Sequence, residues 1–498
     1  MHWIDVLRSD RGRSRAPGDE DVDSPFGGRR PRPLRLAVDV DTYPAQATEA
    51  TEIFESIAEG EDTIQTLQIS DDGPPNHHPG NDAPEGWIVT SVADVPERHG
   101  GGSVQWRLGA KKSFAIFHGE QLRAAYDWWR ESIYEPRGAD FAQRQVVKDV
   151  ALGAGAKLAG CHLLVSHRKQ LERGSVFNRL IDIPVCSVTD AVAIASLHLR
   201  LSGTFTPWRI PSAKSYTSRS TFYRTCAIAL LPEWWRLLHN PPAGISYEKM
   251  TRLAFAVPSR LGKALRIRDE FLALLTHHPS GALSDLLGEE IEDVAIALMG
   301  AFDSVAEVTR EVLEIGGRVI PAWQRSEFTE RLRGLGGGAM LAWLDEGTRG
   351  RAAFDLVKEL RNTVHGTAAS TLPYQPDPGT FPPRIMFPLP NGLRVDQLVR
   401  SVRLLGGRVE DVNQAPEGLV VEPENMIDSL LAETCHALNG MLQHMPLGPP
   451  DCKPAEKPYG PVGDHRLTAS TAEQLRLQLG LAASLFQPSG VPRSPVAL

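Results

Sequence analysis

Cysteine is scarce in this chain. The five residues Cys161, Cys186, Cys226, Cys435 and Cys452 form no close pair and leave one over, so neither a disulfide framework nor a four-ligand zinc site is expected. Long apolar runs are absent as well: stretches such as Val294 to Met299 fall far short of the roughly 18 to 20 residues that cross a bilayer. The N-terminal MHWIDVLRSDRGRSR lacks the apolar centre of a signal peptide. A membrane partner is thereby excluded, and a soluble, cytoplasmic protein is expected. Only 11 of the 53 basic residues are lysine, and 61 acidic residues bring the formal charge to −8. The surface as a whole is no electrostatic trap for nucleic acid, although a local basic groove survives that average. No nucleophile elbow, kinase-type loop or dinucleotide fingerprint is present. GLGGG at 334–338 lacks the Lys-Ser/Thr of a phosphate loop and reads as a turn between helices. No cofactor is expected.

The 498 residues exceed the ~100 to 200 of one domain, and a 42% hydrophobic content supports a folded globule. Proline crowds residues 1–85, 371–390 and 446–495, which read as loops or linkers. Residues 1–86 are expected to be a largely disordered arm with one short strand, LRLAVDV, in which Leu34, Leu36, Val38 and Val40 alternate. Residues 87–280 read as a mainly helical domain with a few short strands (Trp87 to Val92, Ser113 to Phe117) and no assignable role. Its helices are expected over Phe141 to Leu171, Ser187 to Leu201, Thr217 to His239 and Ser259 to Thr276. Cys161, His162 and His167 lack a second ligand pair and read as packing within the first of these. His77 with His78 and His277 with His278 read as solvated, and the tandem tryptophans Trp128, Trp129 and Trp234, Trp235 as buried.

From 281 to 445 the periodicity sharpens. Ile291, Val294, Leu298, Phe302, Val305, Val308 and Val312 make one apolar stripe closed by Gly316 and Gly317. Arg351 to His365 follows, with Ala353, Leu356, Val357, Leu360 and Val364 as its inner face and Gly366 as its stop. Residues 371–422 read as an insertion of loops and short strands. A last helix starts at Pro423 and carries Ile427, Leu430, Leu431, Thr434, Leu438, Met441 and Leu442. Residues 446–498 are a Pro-rich linker and a tail helix. The expected class is therefore mainly α and multi-domain, with a C-terminal helical bundle.

One segment, RNTVHG at 361–366, carries chemistry. Arg361 and His365 are four apart, so a helix projects both from one face. A guanidinium suits a phosphate diester, and an imidazole both takes and gives a proton near neutral pH. Together they are what RNA cleavage without a metal requires, with Asn362 able to orient either partner.

A helical bundle with Arg, Asn and then His at the end of a core helix resembles the HEPN superfamily (higher eukaryotes and prokaryotes nucleotide-binding). The resemblance spans residues 281–445, and its motif matches are Arg361, Asn362 and His365. It implies an all-helical domain, a homodimer that sets two Arg and His sets in one cleft, and metal-independent ribonuclease or RNA-binding activity in defence against foreign genetic elements. The spacing is one residue tighter than the family's shortest, which turns His365 by about 100° relative to Arg361. The alternative is a catalytically silent helical protein for interaction or dimerisation. In it RNTVHG only caps a helix, His sitting at the negative end of the dipole and Gly at the stop.

Overall fold

The computed structural model describes residues 4, 33–44, 48–60, 63–71, 86–92, 102–117, 122–125, 127, 140–171, 183–205, 209–210, 213–214, 217–239, 245–276, 281–363, 369, 371–374, 384–388, 395–405, 410–411, 419–447 and 469–481. The chain divides into two compact units. Unit 1 comprises Met1–Ser202 with Leu477–Gly480, and unit 2 comprises Gly203–Arg476 with Leu481–Leu498.

Unit 1 overturns the mainly α expectation: it is built on a seven-stranded mixed sheet, and the chain is an α/β protein. The strands are β1 (Leu34–Asp39), β2 (Ile64–Ser70), β3 (Gly86–Val92), β4 (Gly102–Leu108), β5 (Lys111–Phe117), β6 (Leu163–Val165) and β7 (Val185–Cys186), in the order β5-β4-β3-β2-β1-β6-β7. Five neighbours, β3-β2-β1-β6-β7, run parallel, and β4 and β5 extend one edge as antiparallel neighbours. Helix α1 (Glu49–Gly60) links β1 to β2, α2 (Asp140–Leu158) precedes β6, and α3 (Val188–Leu201) follows β7. Ser187 caps α3 through a reciprocal bond pair with Asp190.

The strand expected at LRLAVDV is β1, and those expected at 87–92 and 113–117 are β3 and part of β5, but their union in one seven-stranded sheet was not expected. A central parallel strand is covered on both faces; on β1, Leu34, Leu36, Ala37 and Asp39 are all fully buried. Likewise β6 has only three residues, all buried, too few to display a period of two. The expected helix 141–171 in fact stops at Leu158, where Gly160 (φ +77°) turns the chain into β6. Ala37, Leu67, Ile69 and Ile88 of the sheet pack with Val146, Val147, Val150 and Ala151 of α2 in one core.

Unit 2 is mainly helical: α4 (Arg219–Ala229), α5 (Tyr247–Leu274), α6 (Gly281–Val312), α7 (Ser326–Gly334), α8 (Arg349–Thr363), α9 (Val395–Leu404) and α10 (Pro423–Gln443). The stripe from Ile291 to Val312 is buried as its spacing requires, and Gly317 (φ +87°) follows the helix end. Helix α5 begins twelve residues before the expected Ser259 and runs through Pro258, which is buried inside it. Across α5 and α10 the fully buried Arg268 forks onto Asp428, its Nη2 donating at 2.8 Å, and Tyr223 of α4 donates to Asp269 at 2.7 Å. Helix α8 packs on α6, α9 and α10. Strands β8 (Arg209–Ile210) and β9 (Ala213–Lys214) pair antiparallel; within 371–422 lie α9 and strands β10 (Leu372–Tyr374), β11 (Arg384–Pro388) and β12 (Glu410–Asp411), which with β13 (Leu419–Val421) form an antiparallel sheet in the order β10-β11-β13-β12. No helix among the described residues is long and apolar enough to cross a membrane.

Candidate functional site

Arg361 and Asn362 occupy the last turn of α8, and both are exposed. Neither side chain makes a hydrogen bond among the described residues, so they are not consumed in capping the loose carbonyls of α8. Asp303 of α6 lies in the field of Arg361. Asp303 is exposed as a residue, yet partial burial of its carboxyl pushes it above its ordinary value, and the positive charges of Arg361 and then Arg260 oppose that rise. His365, the third residue of the sequence motif, lies outside the described residues. The inner face of α8 is as the spacing requires, with Ala353, Leu356, Val357 and Leu360 buried. The described residues thus present a solvent-facing guanidinium and amide at a helix end, able to meet a phosphate oxygen with planar donors.

The most elaborate polar centre lies elsewhere, in unit 1, and the sequence reading passed over it. Strand β1 has β2 and β3 on one side and β6 and β7 on the other, so the chain reverses its direction of travel across the sheet beside β1. The carboxyl ends of the strands at such a switch point are where open α/β sheets bind ligands. There the Arg168 side chain, 6% exposed, sits among four carboxylates. Its Nε donates to Asp39 Oδ2 at 2.8 Å, and its Nη2 to Asp39 Oδ1 at 3.2 Å and Asp41 Oδ2 at 2.9 Å. Its Nη1 donates to Asp71 Oδ2 and Asp149 Oδ1, both at 2.8 Å. Each of the guanidinium's five N–H groups thus has a carboxylate.

The four acids come from four places. Asp39 ends β1, Asp41 lies two residues beyond it, Asp71 follows β2, and Asp149 faces the sheet from α2. Thr42 and Ser166 hydroxyls donate to Asp39 Oδ2, each at 2.7 Å, and Gln145 Nε2 donates to Asp149 at 2.8 Å. Lys148 Nζ stands 3.7 Å from Asp71. Burial pushes the Asp39 carboxyl upward, but the Arg168 fork and the two hydroxyls outweigh it and hold the group below the usual carboxylate value. At Asp149 burial prevails over Arg168 and Gln145 and the pKa is raised. It is raised at Asp41 too, by burial and then by the neighbouring charge of Asp39. Arg168 itself is held above its ordinary value, burial being overcome by the surrounding acids.

With Arg168 in their midst, these carboxylates face a guanidinium; among the described residues no group of three or more His, Cys, Asp or Glu is placed to hold a metal ion. A signal for the centre did exist in the sequence: acids follow two successive apolar strands, in LRLAVDVD and IQTLQISDD, and SHR follows a third, LLV. Cys161, His162 and His167 lie around β6 rather than inside a helix. Cys161 is buried, which pushes its thiol up to about 12, and His162 Nδ1 accepts from the Arg35 backbone N–H at 2.9 Å. GLGGG forms the turn after α7, with Gly336 at φ +84°. Trp234 is fully buried, its Nε1 donating to the Ala254 carbonyl at 2.7 Å, while Trp128, Trp129, His77, His78, His277 and His278 lie outside the described residues. Comparison with protein-family models, curated proteins and solved structures finds no match to this chain.

Proposed function

We propose that the chain is a cytoplasmic, RNA-directed effector of HEPN type that acts in defence against foreign genetic elements and works as a homodimer. Arg361 binds the scissile phosphate, Asn362 orients it, and His365 moves the protons, with no metal or other cofactor. The single observation that supports this reading is the exposure of Arg361 and Asn362 at the end of α8, unengaged by the helix's own carbonyls. His365 takes the proton of a ribose 2′-OH, the freed oxygen attacks phosphorus, and the bond to the 5′-oxygen breaks, that oxygen leaving with a proton. Arg361 stabilises the charge that gathers on the phosphoryl oxygens.

The charge at the switch point favours a second reading. Four carboxylates there meet two cations, Arg168 and Lys148, and although the acids are engaged by Arg168 and not placed as a metal-ion group, their surplus negative charge would draw a divalent cation to a phosphate ester bound beside them. One experiment weighs both: RNA is incubated with the full chain, once in excess chelator and once with magnesium or manganese. The first reading expects cleavage in chelator that falls at least about 100-fold in Arg361→Ala and in His365→Ala and is unchanged in Asp41→Asn. Cleavage only with metal, lost in Asp41→Asn, upholds the second reading instead. No cleavage under either condition removes both.

A further inference from the structure

Helices α5 and α6 run side by side, and charged pairs mark the seam. Lys249 Nζ stands 2.6 Å from Glu311 and Lys263 Nζ 3.9 Å from Asp293. Between them comes Arg260, which has no such partner: among the described residues it makes neither an ion pair nor a hydrogen bond, and it is exposed. Its stem lies flat across α6 at Gly300. A Cβ at that glycine would stand 3.1 Å from Arg260 Cδ and 3.3 Å from Nε, tighter than ordinary contact. Any side chain at that position would make the arginine stem give way by a few tenths of an ångström. One turn further along α6 is Asp303, exposed and also without an ion pair among the described residues; it lies in the fields of both Arg260 and Arg361. Two guanidiniums from different helices therefore flank one carboxylate, and Asn362 stands beside the second.

We infer that Arg260 is a second phosphate-binding residue, seated on Gly300 so that an RNA backbone reaching Arg361 meets a second guanidinium on α5. The inference rests on the RNA reading of the α8 end. A single carboxylate does not satisfy two planar cations, and successive phosphates of a single strand supply the charge that is missing. In this arrangement Asp303 is the competitor that a phosphate must outbid, so its charge weakens RNA binding.

The test uses the full chain and a fluorescein-labelled single-stranded RNA with 2′-O-methyl sugars, which cannot be cut through the 2′-oxygen, in anisotropy titrations over a series of salt concentrations. Arg260→Ala weakens binding roughly threefold to tenfold and lowers the slope of log K against log salt by about 0.7. Asp303→Asn tightens binding. Gly300→Ala, which dislodges the Arg260 stem, behaves like Arg260→Ala, and thermal melts by circular dichroism check that each variant is folded. If Arg361→Ala weakens binding while Arg260→Ala leaves both affinity and slope unchanged, the inference is overturned and the RNA reading stands. If the wild type does not bind the RNA, or neither arginine matters, the RNA reading falls and takes the inference with it.

Discussion

A guanidinium carries five N–H donors in one plane, and at Arg168 every one of them meets a carboxylate from the ends of β1 and β2 or from α2. Such a buried hub adds little net stability beyond an apolar core of the same shape, yet losing one member is costly because the charges left behind are neither solvated nor paired. Arg168→Met is therefore expected to lower the stability of unit 1 by about 3 to 5 kcal/mol at neutral pH, read from urea denaturation. The pH dependence has a definite sign. Asp39 is held below its ordinary pKa, so the stability it contributes is present above the unfolded aspartate value and is lost as pH falls through its folded value. In the Met variant that contribution is gone, and acid neutralises the stranded carboxylates, so the gap between the two proteins narrows as pH falls through and below the ordinary aspartate value of about 4. A gap that stays constant from pH 7 to about pH 2 contradicts this account of the hub.

At the scale of elements, several single helices and strands were legible and the sheet that joins the strands was not. The stripe of α6 predicted that helix because one side meets the core while the other carries exposed residues such as Asp285, Glu289 and Asp303; α10 is buried nearly all round, and its apolar spacing with Pro423 at the start was still enough to predict it. The strand runs at 34–40, 87–92 and 113–117 were readable and appear as β1, β3 and part of β5, whereas β6 has three residues and β7 two, too few to show a period, and nothing within a strand says which strands pair into the sheet. The short strand runs near 384–387 and 418–421 were readable and appear as β11 and β13. The acids of the hub were invisible as a group because they are far apart in the chain and only the parallel sheet brings them together. Arg361 and Asn362 needed no such convergence, since one helix turn places both. Close helix packing offers an element-scale prediction. An added Cβ at Gly440 of α10 would lie 2.1 Å from the Trp343 ring, so Gly440→Ala forces that ring, which is 4% exposed, to move. The expected loss is about 1 to 3 kcal/mol, despite the better helix propensity of alanine. An unchanged or raised melting temperature in a thermal scan refutes the tight packing of α10 on Trp343.

On the scale of the whole molecule, the chain holds two units with different polar centres. Unit 1 has a buried, fully engaged guanidinium at the switch point of a parallel sheet. Unit 2 has exposed, unengaged cations where α5, α6 and α8 meet. A buried and satisfied centre orders its surroundings, whereas an exposed and unsatisfied one is available to an anion, and this contrast is why the proposed RNA reading is placed on unit 2. Attack by the ribose 2′-oxygen and metal-assisted attack by water leave different products, so the ends of the cut RNA report which centre acts. The most direct measurement is end-group analysis of RNA cut by the full chain in excess chelator. The account predicts 2′,3′-cyclic phosphate on one fragment and a free 5′-hydroxyl on the other, both absent in His365→Ala. Fragments bearing 5′-phosphate and 3′-hydroxyl ends, formed only when a divalent metal is supplied, would contradict it.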